Sequence, residues 1–126
     1  MSWPDLVQSQ LIATGNVSKA AICGLDGNIW AQSTGFTASP QELAAAISAF
    51  DNPNAVLGVG LHFANQKYFV LRADSECVIG KLGAGGVFIH KTGKAIIVSI
   101  YEGGIQPEAC NTTTGALADY LRSTGY

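Results

Sequence analysis

Four large aromatic side chains with hydrogen-bonding groups come from separate parts of the sequence, and three of them lie near its ends. They are Trp3, Trp30, Tyr120 and Tyr126. Chain termini usually fray and carry expendable polar residues, so we expect these ends to be docked. If the ends meet, their rings form a surface suited to an extended proline-rich peptide, and the indole and phenol groups can donate hydrogen bonds to its carbonyl oxygens. Core packing is the competing explanation.

Three cysteines and two histidines are the residues that could support nucleophilic or metal chemistry: Cys23, Cys77, Cys110, His62 and His90. The cysteine spacing fits neither a zinc-ligand pattern nor a disulfide framework, so buried free thiols are expected. A Cys–His pair can act as a nucleophile, but no local spacing favours one here. The sequence predicts no catalytic residues, no metal and no cofactor.

Residues 80–86, Gly-Lys-Leu-Gly-Ala-Gly-Gly, have the glycine content of a phosphate-binding loop. They lack the spacing that ends in Gly-Lys-Ser/Thr, and the pattern that follows them is that of a strand. We therefore predict a hairpin loop there.

Charge is unevenly distributed along a chain with a formal net charge of −2. Five of the seven basic residues lie between positions 67 and 94: Lys67, Arg72, Lys81, Lys91 and Lys94. This clustering favours an acidic partner surface, although ordinary solvated strands would also explain it. It is too sparse to predict nucleic-acid binding.

Composition predicts one domain, over residues 1–126, with 48% hydrophobic and 13% charged residues. No apolar stretch is long enough to span a membrane, and the first residues lack the pattern of a signal peptide. The expected location is the cytoplasm.

Periodicity predicts the elements that position these side chains. Ser2 can cap a first helix with Pro4 in its first turn, and Gly15 ends it. A second helix spans about 42–50, ended by residues 51–54, and a third spans 107–123. Strands are predicted at 19–24, 29–33, 59–63, 68–73, 77–81, 87–91 and 95–101. The short connections require antiparallel neighbours. The fold class is α/β (α+β): a central antiparallel sheet with the terminal helices on one face and the remaining helix on the other.

Several segments together resemble the profilin family over essentially the whole chain. They are Met-Ser-Trp at 1–3, Leu-Asp-Gly-Asn-Ile-Trp-Ala at 25–31, Leu-Arg-Ala-Asp at 71–74, Ile-Gly-Lys at 79–81, Ile-Gln-Pro at 105–107 and Leu-Ala-Asp-Tyr-Leu at 117–121. Amoebal and fungal profilins look most similar.

The resemblance implies binding to monomeric actin, to proline-rich partners such as formins and to phosphatidylinositol 4,5-bisphosphate, together with promotion of nucleotide exchange on actin at the cytoskeleton. The implied proline-peptide site is Trp3, Leu6, Trp30, Leu117, Tyr120, Leu121 and Tyr126. Position 6 is often tyrosine in the family, so Leu6 removes one hydroxyl donor, worth about 1 kcal/mol.

The resemblance also implies an actin site and a lipid site. The actin residues are Arg72, Lys81, Gly86, Val87, Lys91, Ala109, Thr112 and Thr113. The phosphoinositide residues are Arg72, Lys81, Lys91 and Lys94. The sequence departs from the family pattern at Glu76, where a basic residue is frequent, and at residues 111–115.

Three alternatives remain open at this point. One is a diverged family member that keeps proline binding but binds actin weakly. Another is an α/β scaffold domain that works by dimerisation. The third is a small enzyme that uses Cys77 or a histidine.

Overall fold

The computed structural model describes residues 2–126, and in them the strands form one seven-stranded antiparallel sheet. The strand order is β2-β1-β7-β6-β5-β4-β3. The strands are β1 (Lys19–Gly24), β2 (Ile29–Gln32), β3 (Leu61–Phe63), β4 (Gln66–Ala73), β5 (Cys77–Leu82), β6 (Gly85–Lys91) and β7 (Ala95–Tyr101). The helices are α1 (Trp3–Leu6), α2 (Pro40–Ser48), α3 (Pro53–Val59) and α4 (Pro107–Ser123). The predicted fold class is confirmed.

Each face of the sheet is covered by its own pair of helices. Side chains from α2 and α3, such as Leu43 and Val56, pack on one face, where Val87 and Ile96 lie. The N-terminal segment and α4 pack on the other, where Phe88 and Ile97 lie. Every residue of β7 is buried, as its continuous apolar run predicts for a central strand. The predicted distribution of helices over the two faces is therefore confirmed.

The N-terminal helix is less regular than its periodicity predicts. The Ser2 hydroxyl accepts a hydrogen bond from the Asp5 N–H at 3.3 Å and so caps α1. After α1, residues Val7–Leu11 form a short π-helical stretch and Ile12–Thr14 form a 3₁₀ turn. The helical segment ends at Gly15, which has a φ of +78°. We call residues 3–14 the N-terminal helical segment. It anchors Trp3 beside α4.

Helix α3 is an element that the sequence-based prediction missed. The segment 51–54 was expected to end the preceding helix and Val59 to begin a strand, whereas Pro53–Val59 is helical and β3 begins at Leu61. Pro53 stands in the first turn, where its fixed φ favours a helix, and Val56 is buried against the sheet. Gly60 ends α3 with φ +76°, and a side chain there would meet the Tyr68 carbonyl.

The Glu42 side chain ties the start of α2 to the turn between β3 and β4. Its carboxylate accepts hydrogen bonds from the backbone N–H groups of Ser39, Ala64 and Asn65 at 2.9–3.0 Å. Ala64 and Asn65 both have positive φ, which is unfavourable for residues with a side chain. The carboxylate therefore stabilises a strained turn. Partial burial opposes its ionisation, but the three N–H donors outweigh burial and lower the pKa of Glu42 below its usual value.

Glu42→Gln is expected to lower the free energy of unfolding by about 1–2 kcal/mol at pH 7, because charge-assisted hydrogen bonds are lost. Since the folded state lowers the pKa of Glu42, the wild type has this stabilisation above pH 4.5 and loses it as the pH falls through the lowered value. Urea unfolding at pH 7 and at pH values below that pKa measures the effect. The exposed Glu102, replaced by glutamine, serves as the control. If the difference in free energy of unfolding between the wild type and Glu42→Gln stayed the same at acid pH, this role for the charge would be contradicted.

Candidate functional site

Three of the four predicted aromatic residues lie in contact with one another, two from the chain ends and one from β2. The ring centroids of Trp3 and Trp30 are 4.6 Å apart, and Tyr126 stands edge-on to Trp3 at 4.9 Å and to Trp30 at 6.0 Å. Such tilted and edge-to-face contacts are the preferred aromatic geometries. The predicted docking of the termini is therefore confirmed for Trp3 and Tyr126.

The last residue is fixed in place by hydrogen bonds of its backbone. The Tyr126 N–H donates to the Leu121 carbonyl at 2.8 Å, which continues the end of α4. Its own carbonyl oxygen accepts from the Lys94 N–H and from the Thr92 hydroxyl, which joins it to the β6–β7 turn. The Lys94 ammonium lies 5.7 Å from the Tyr126 ring centroid. The backbone of Tyr126 is thus anchored to α4 and to the β6–β7 turn, while 40% of the residue stays exposed.

Trp30 lies against a backbone position where an added side chain would crowd the indole ring. A Cβ on Gly24 would come within 2.9 Å of the Trp30 indole nitrogen and 2.8 Å of the Asp26 carboxylate. Gly24 is the last residue of β1, and Trp30 lies in β2, the strand that pairs with β1 across the hairpin. The missing side chain therefore provides the space in which the indole packs beside Trp3. Sequence reasoning did not identify Gly24 as a residue of the site.

Gly24→Ala is expected to displace the Trp30 ring and weaken decaproline binding about fivefold, because aromatic pairs contribute about 1 kcal/mol each. Calorimetric titration with decaproline measures the loss. Gly58→Ala is the matched control, since a Cβ at Gly58 has no neighbour within 4 Å. Equal affinities of the two variants would show that the position of Trp30 does not depend on Gly24.

Tyr120 completes the surface from the exposed side of α4. Half of Tyr120 is exposed, and together with Trp3, Leu6 and Leu121 it lines a recess of 190 Å³ that Tyr126 closes at one end. Leu6 and Leu121 are buried and form the floor. We call this recess with the neighbouring Trp30 the aromatic groove. The remaining predicted residue, Leu117, lies about one turn before Tyr120 on α4 and lines the continuation of the groove rather than the recess itself.

A second surface lies on the part of the sheet that α4 leaves uncovered. The register pairs Phe69 with Lys81 and Arg72 with Ile79, which places these side chains on the face that α4 partly covers. Phe69 and the neighbouring Leu71 are 61% and 62% exposed. We call this area, on β4 and β5, the open sheet face. It combines exposed apolar groups with cations, and Arg72 forms an ion pair with Asp74 at 3.4 Å.

Phe69 and Leu71 were missed by sequence reasoning. A signal was available: residues 68–71, Tyr-Phe-Val-Leu, are apolar on both faces of a strand, although only one face can point into the core under α2 and α3. Tyr68 and Val70 occupy that buried face. The same kind of run also fits a strand buried on both faces, as in β7, so only the structure shows that Phe69 and Leu71 are exposed.

The basic residues predicted as one lipid-binding set do not converge. Lys81 and Arg72 share the open sheet face, whereas Lys91 is paired with Ile96 and alternation places it on the opposite side of the sheet. Lys94 lies beside Tyr126 in the aromatic cluster. Strand alternation and the β6–β7 turn therefore separate the four residues that the resemblance implied for phosphoinositide binding.

Two predicted actin contacts on β6 offer no side-chain surface. Val87 is fully buried and packs under α2 and α3. Gly86 is buried too, and a Cβ there would come 2.7 Å from the Tyr101 hydroxyl oxygen. Gly86 thus allows close packing of the Tyr101 ring. Both residues lie in the core, and their assignment to the actin site stays a prediction.

The predicted actin residues of α4 face away from the open sheet face. The Asn16 side-chain amide donates to the Thr113 hydroxyl at 3.0 Å, so Thr113 points toward the N-terminal helical segment. Residues two positions apart lie on different sides of a helix, and it is Asn111 that contacts His90 of β6, with Gly115 on the same side of α4. Thr112 is exposed and Ala109 half-buried. Asn111 replaces Thr113 as the candidate beside the open sheet face.

Cys77, His90 and Asn111 are brought together, but not in a catalytic arrangement. The His90 Nε2 atom lies 2.7 Å from the Asn111 Oδ1 atom and 3.8 Å from the Cys77 sulfur. In a nucleophilic triad the cysteine and the orienting residue use different ring nitrogens, whereas here both face the same one. Burial and the Asp74 carboxylate raise the pKa of the Cys77 thiol to about 11, and burial lowers the pKa of His90. The thiol is therefore not activated at this position.

Two further findings on the described residues concern metals and membranes. Residues 2–126 contain no group of three or more His, Cys, Asp or Glu side chains placed to hold a metal ion. In the same residues, none of the helices has both the length and the apolarity needed to cross a bilayer.

Comparison with known proteins places this architecture in one family. The family model described as Profilin matches residues 1–126. The chain is 55% identical to Profilin-3 of Caenorhabditis elegans over the full length of both proteins. It superposes on the crystal structure of profilin II from Acanthamoeba castellanii with a TM-score of 0.96 at 42% identity, covering 99% of this chain and all of the other. Mouse profilin IIa, solved in complex with a double repeat from the FH1 domain of mDia1, shares the fold with a TM-score of 0.74 at 19% identity, over 95% of this chain and 99% of the mouse chain. The chain belongs to the profilin family.

Proposed function

We propose that this protein binds monomeric actin through the open sheet face and proline-rich segments through the aromatic groove, and so delivers actin to proline-rich partners such as formins. Membership of the profilin family implies a regulator of actin polymerisation. We place its action in the cytoplasm, at the cytoskeleton, and include promotion of nucleotide exchange on actin in the proposal.

The observation that carries the proline half is the aromatic groove. Trp3, Trp30 and Tyr126 lie within 6.0 Å of one another, and Tyr126 and Tyr120 remain substantially exposed. A partly exposed aromatic cluster of this kind is what a preformed polyproline helix docks against. Mouse profilin IIa is a fold relative whose complex contains a formin-type FH1 repeat, which supports the same chemistry for this chain.

The actin half rests on the chemistry of the open sheet face. Exposed Phe69 and Leu71 offer apolar area, and Arg72 and Lys81 add positive charge for an acidic partner surface. Such charges contribute mainly to the association rate and to specificity. Contact with phosphatidylinositol 4,5-bisphosphate is proposed through the same Arg72 and Lys81, with an attraction of about 1 kcal/mol per cation.

Glu76 favours a second candidate, a protein that binds proline-rich segments but binds actin weakly. Its side chain is exposed in the turn between β4 and β5, two residues from Asp74, the exposed ion-pair partner of Arg72. A carboxylate at this edge opposes the positive charge of the open sheet face.

Retention on poly-L-proline resin and inhibition of spontaneous actin polymerisation test the two halves separately. We expect the protein to be retained by the resin and to slow polymerisation of pyrene-labelled actin. Retention without any effect on actin would favour the weak actin binder, and absence of retention would refute the role of the aromatic groove.

A further inference from the structure

Cys77 and His90 form a cross-strand pair that the proposed function does not use. They stand opposite each other on β5 and β6, and alternation places both on the side of the sheet that α4 covers. The Cys77 sulfur and the His90 Nε2 atom are 3.8 Å apart, and the Asn111 Oδ1 atom of α4 lies 2.7 Å from the same nitrogen. Side chains from three elements therefore meet at one ring nitrogen. We call these three residues the Cys–His–Asn cluster.

We propose that the Cys–His–Asn cluster binds one monovalent thiophilic cation, Cu(I), through the Cys77 sulfur and the His90 Nε2 atom. Thiolate sulfur is a soft ligand that selects Cu(I), and neutral imidazole is the commonest metal ligand in proteins. The inference does not depend on actin or proline binding. It gives a role to a cluster that lacks a catalytic arrangement.

The distance between the two ligand atoms fits one shared metal ion. An ion about 2.3 Å from the sulfur and about 2.0 Å from the nitrogen would span the gap of 3.8 Å with an angle of about 120° at the metal. Directly opposed residues of an antiparallel pair keep their Cβ atoms close together. The sheet therefore holds both ligands at this spacing without any movement of the backbone.

The number of ligands and their charge favour Cu(I) over a divalent ion. Zn²⁺ in structural sites takes four protein ligands, whereas residues 2–126 hold no group of three or more His, Cys, Asp or Glu side chains placed for a metal ion. Cu(I), a soft ion, accepts two or three ligands. One thiolate neutralises one Cu(I), so the complex adds no net charge to a half-buried site. Zn²⁺ would leave a positive charge there, and burial of a charge is unfavourable.

Binding exchanges one proton for the cation. In the free protein the Cys77 thiol is protonated, and the His90 Nε2 atom carries a proton because the Asn111 Oδ1 atom can only accept. When Cu(I) binds, the thiol releases its proton to solvent and the imidazole proton moves from Nε2 to Nδ1, which leaves the Nε2 lone pair for the metal. The Asn111 oxygen, without its donor, then faces the metal. No electron is transferred, because copper enters and stays as Cu(I).

The other two thiols of the chain are less accessible to a metal ion. Cys23 and Cys110 are both fully buried, whereas Cys77 and His90 are half-buried. An ion delivered from solution therefore reaches the Cys77 sulfur without opening the core. We expect one equivalent of Cu(I) per chain.

Transfer of Cu(I) from a chromophoric chelator, measured without oxygen, tests the proposal. The wild type is expected to take up one equivalent and Cys77→Ser none. His90→Gln should weaken uptake about 100-fold, because loss of even a supporting group at a metal site costs about 10–100-fold. His62→Gln is the matched control, since His62 is exposed on β3, and it should keep the wild-type affinity. Circular dichroism verifies that the variants are folded.

A second measurement on the wild type does not depend on the folding of any variant. Cu(I) is expected to protect Cys77 from alkylation, with the modified position mapped by mass spectrometry. X-ray absorption of the copper complex should show sulfur and nitrogen ligands. Uptake that survives Cys77→Ser, equal losses in His90→Gln and His62→Gln, or alkylation of Cys77 that Cu(I) does not slow would overturn the site. Tighter binding of Zn²⁺ than of Cu(I) would overturn the assignment of the metal.

Discussion

Trp3→Ala is expected to weaken decaproline binding about 30-fold or more. Trp3 contacts both other rings of the cluster, at 4.6 Å and 4.9 Å between centroids, and lines the recess beside Leu6 and Leu121. Its removal takes away a wall of the aromatic groove and the support for Trp30 and Tyr126. Central aromatic residues of this kind contribute about 2 kcal/mol or more to binding, which corresponds to about 30-fold in affinity.

Calorimetric titration with decaproline measures this loss without depending on tryptophan fluorescence. Phe69→Ala is the matched control, because Phe69 is an exposed aromatic residue on the open sheet face rather than in the groove. Far-ultraviolet circular dichroism of both variants verifies that they are folded. Near wild-type affinity of Trp3→Ala would mean that the aromatic cluster is part of the core and not a binding surface.

Lys81→Glu is expected to lower the affinity for monomeric actin about 30-fold while leaving decaproline affinity unchanged. Lys81 stands opposite Phe69 in the strand register, at the centre of the open sheet face. Reversing a charge at an electrostatically complementary interface replaces attraction by repulsion, which costs about 2 kcal/mol or more. Sedimentation or a fluorescence titration with labelled monomeric actin measures the change.

Lys91→Glu provides the control for Lys81→Glu, because it makes the same change in charge on the other side of the sheet. Its effect on actin affinity should be small, and the remaining change should disappear as salt screens long-range forces. Equal losses in the two variants would indicate that net charge, rather than the open sheet face, controls actin binding.

The antiparallel pairing of the strands and the burial of the sheet were accessible from sequence. Short turn-rich connections required antiparallel neighbours, and the apolar run of β7 required a central strand. Pro107 and the apolar positions at 117 and 121 predicted α4 with the observed bounds. The three threonines of α4 remain helical because Thr114 is buried and its hydroxyl donates to the Cys110 carbonyl at 2.8 Å.

Other features depend on tertiary contacts that local patterns do not contain. Helix α3 is short, and its single buried residue, Val56, gives too little periodicity to predict it. The pairing of β1 with β7 joins strands about 75 residues apart, and no local pattern specifies it. Gly24 looks like any glycine near a turn, and only the position of the Trp30 ring reveals its role.

The two sites were predictable to different degrees because they depend on different features of the sequence. Large aromatic side chains are unusual at chain termini, so Trp3 and Tyr126 pointed to the groove directly. The open sheet face instead depends on which side of a strand each residue occupies. The actin-site residues implied by the family resemblance included Val87 and Lys91. Because side chains alternate along a strand, these two lie on the side of the sheet opposite to the open sheet face.

We propose that this small protein carries two separate binding surfaces, and joint binding of actin and decaproline tests that proposal most directly. Decaproline should be titrated into the free protein and into the protein saturated with monomeric actin. We predict a ternary complex in which the two decaproline affinities agree within about a factor of two, because sites without shared contacts have little coupling free energy. Displacement of actin by decaproline, or loss of decaproline binding in the actin complex, would contradict the account.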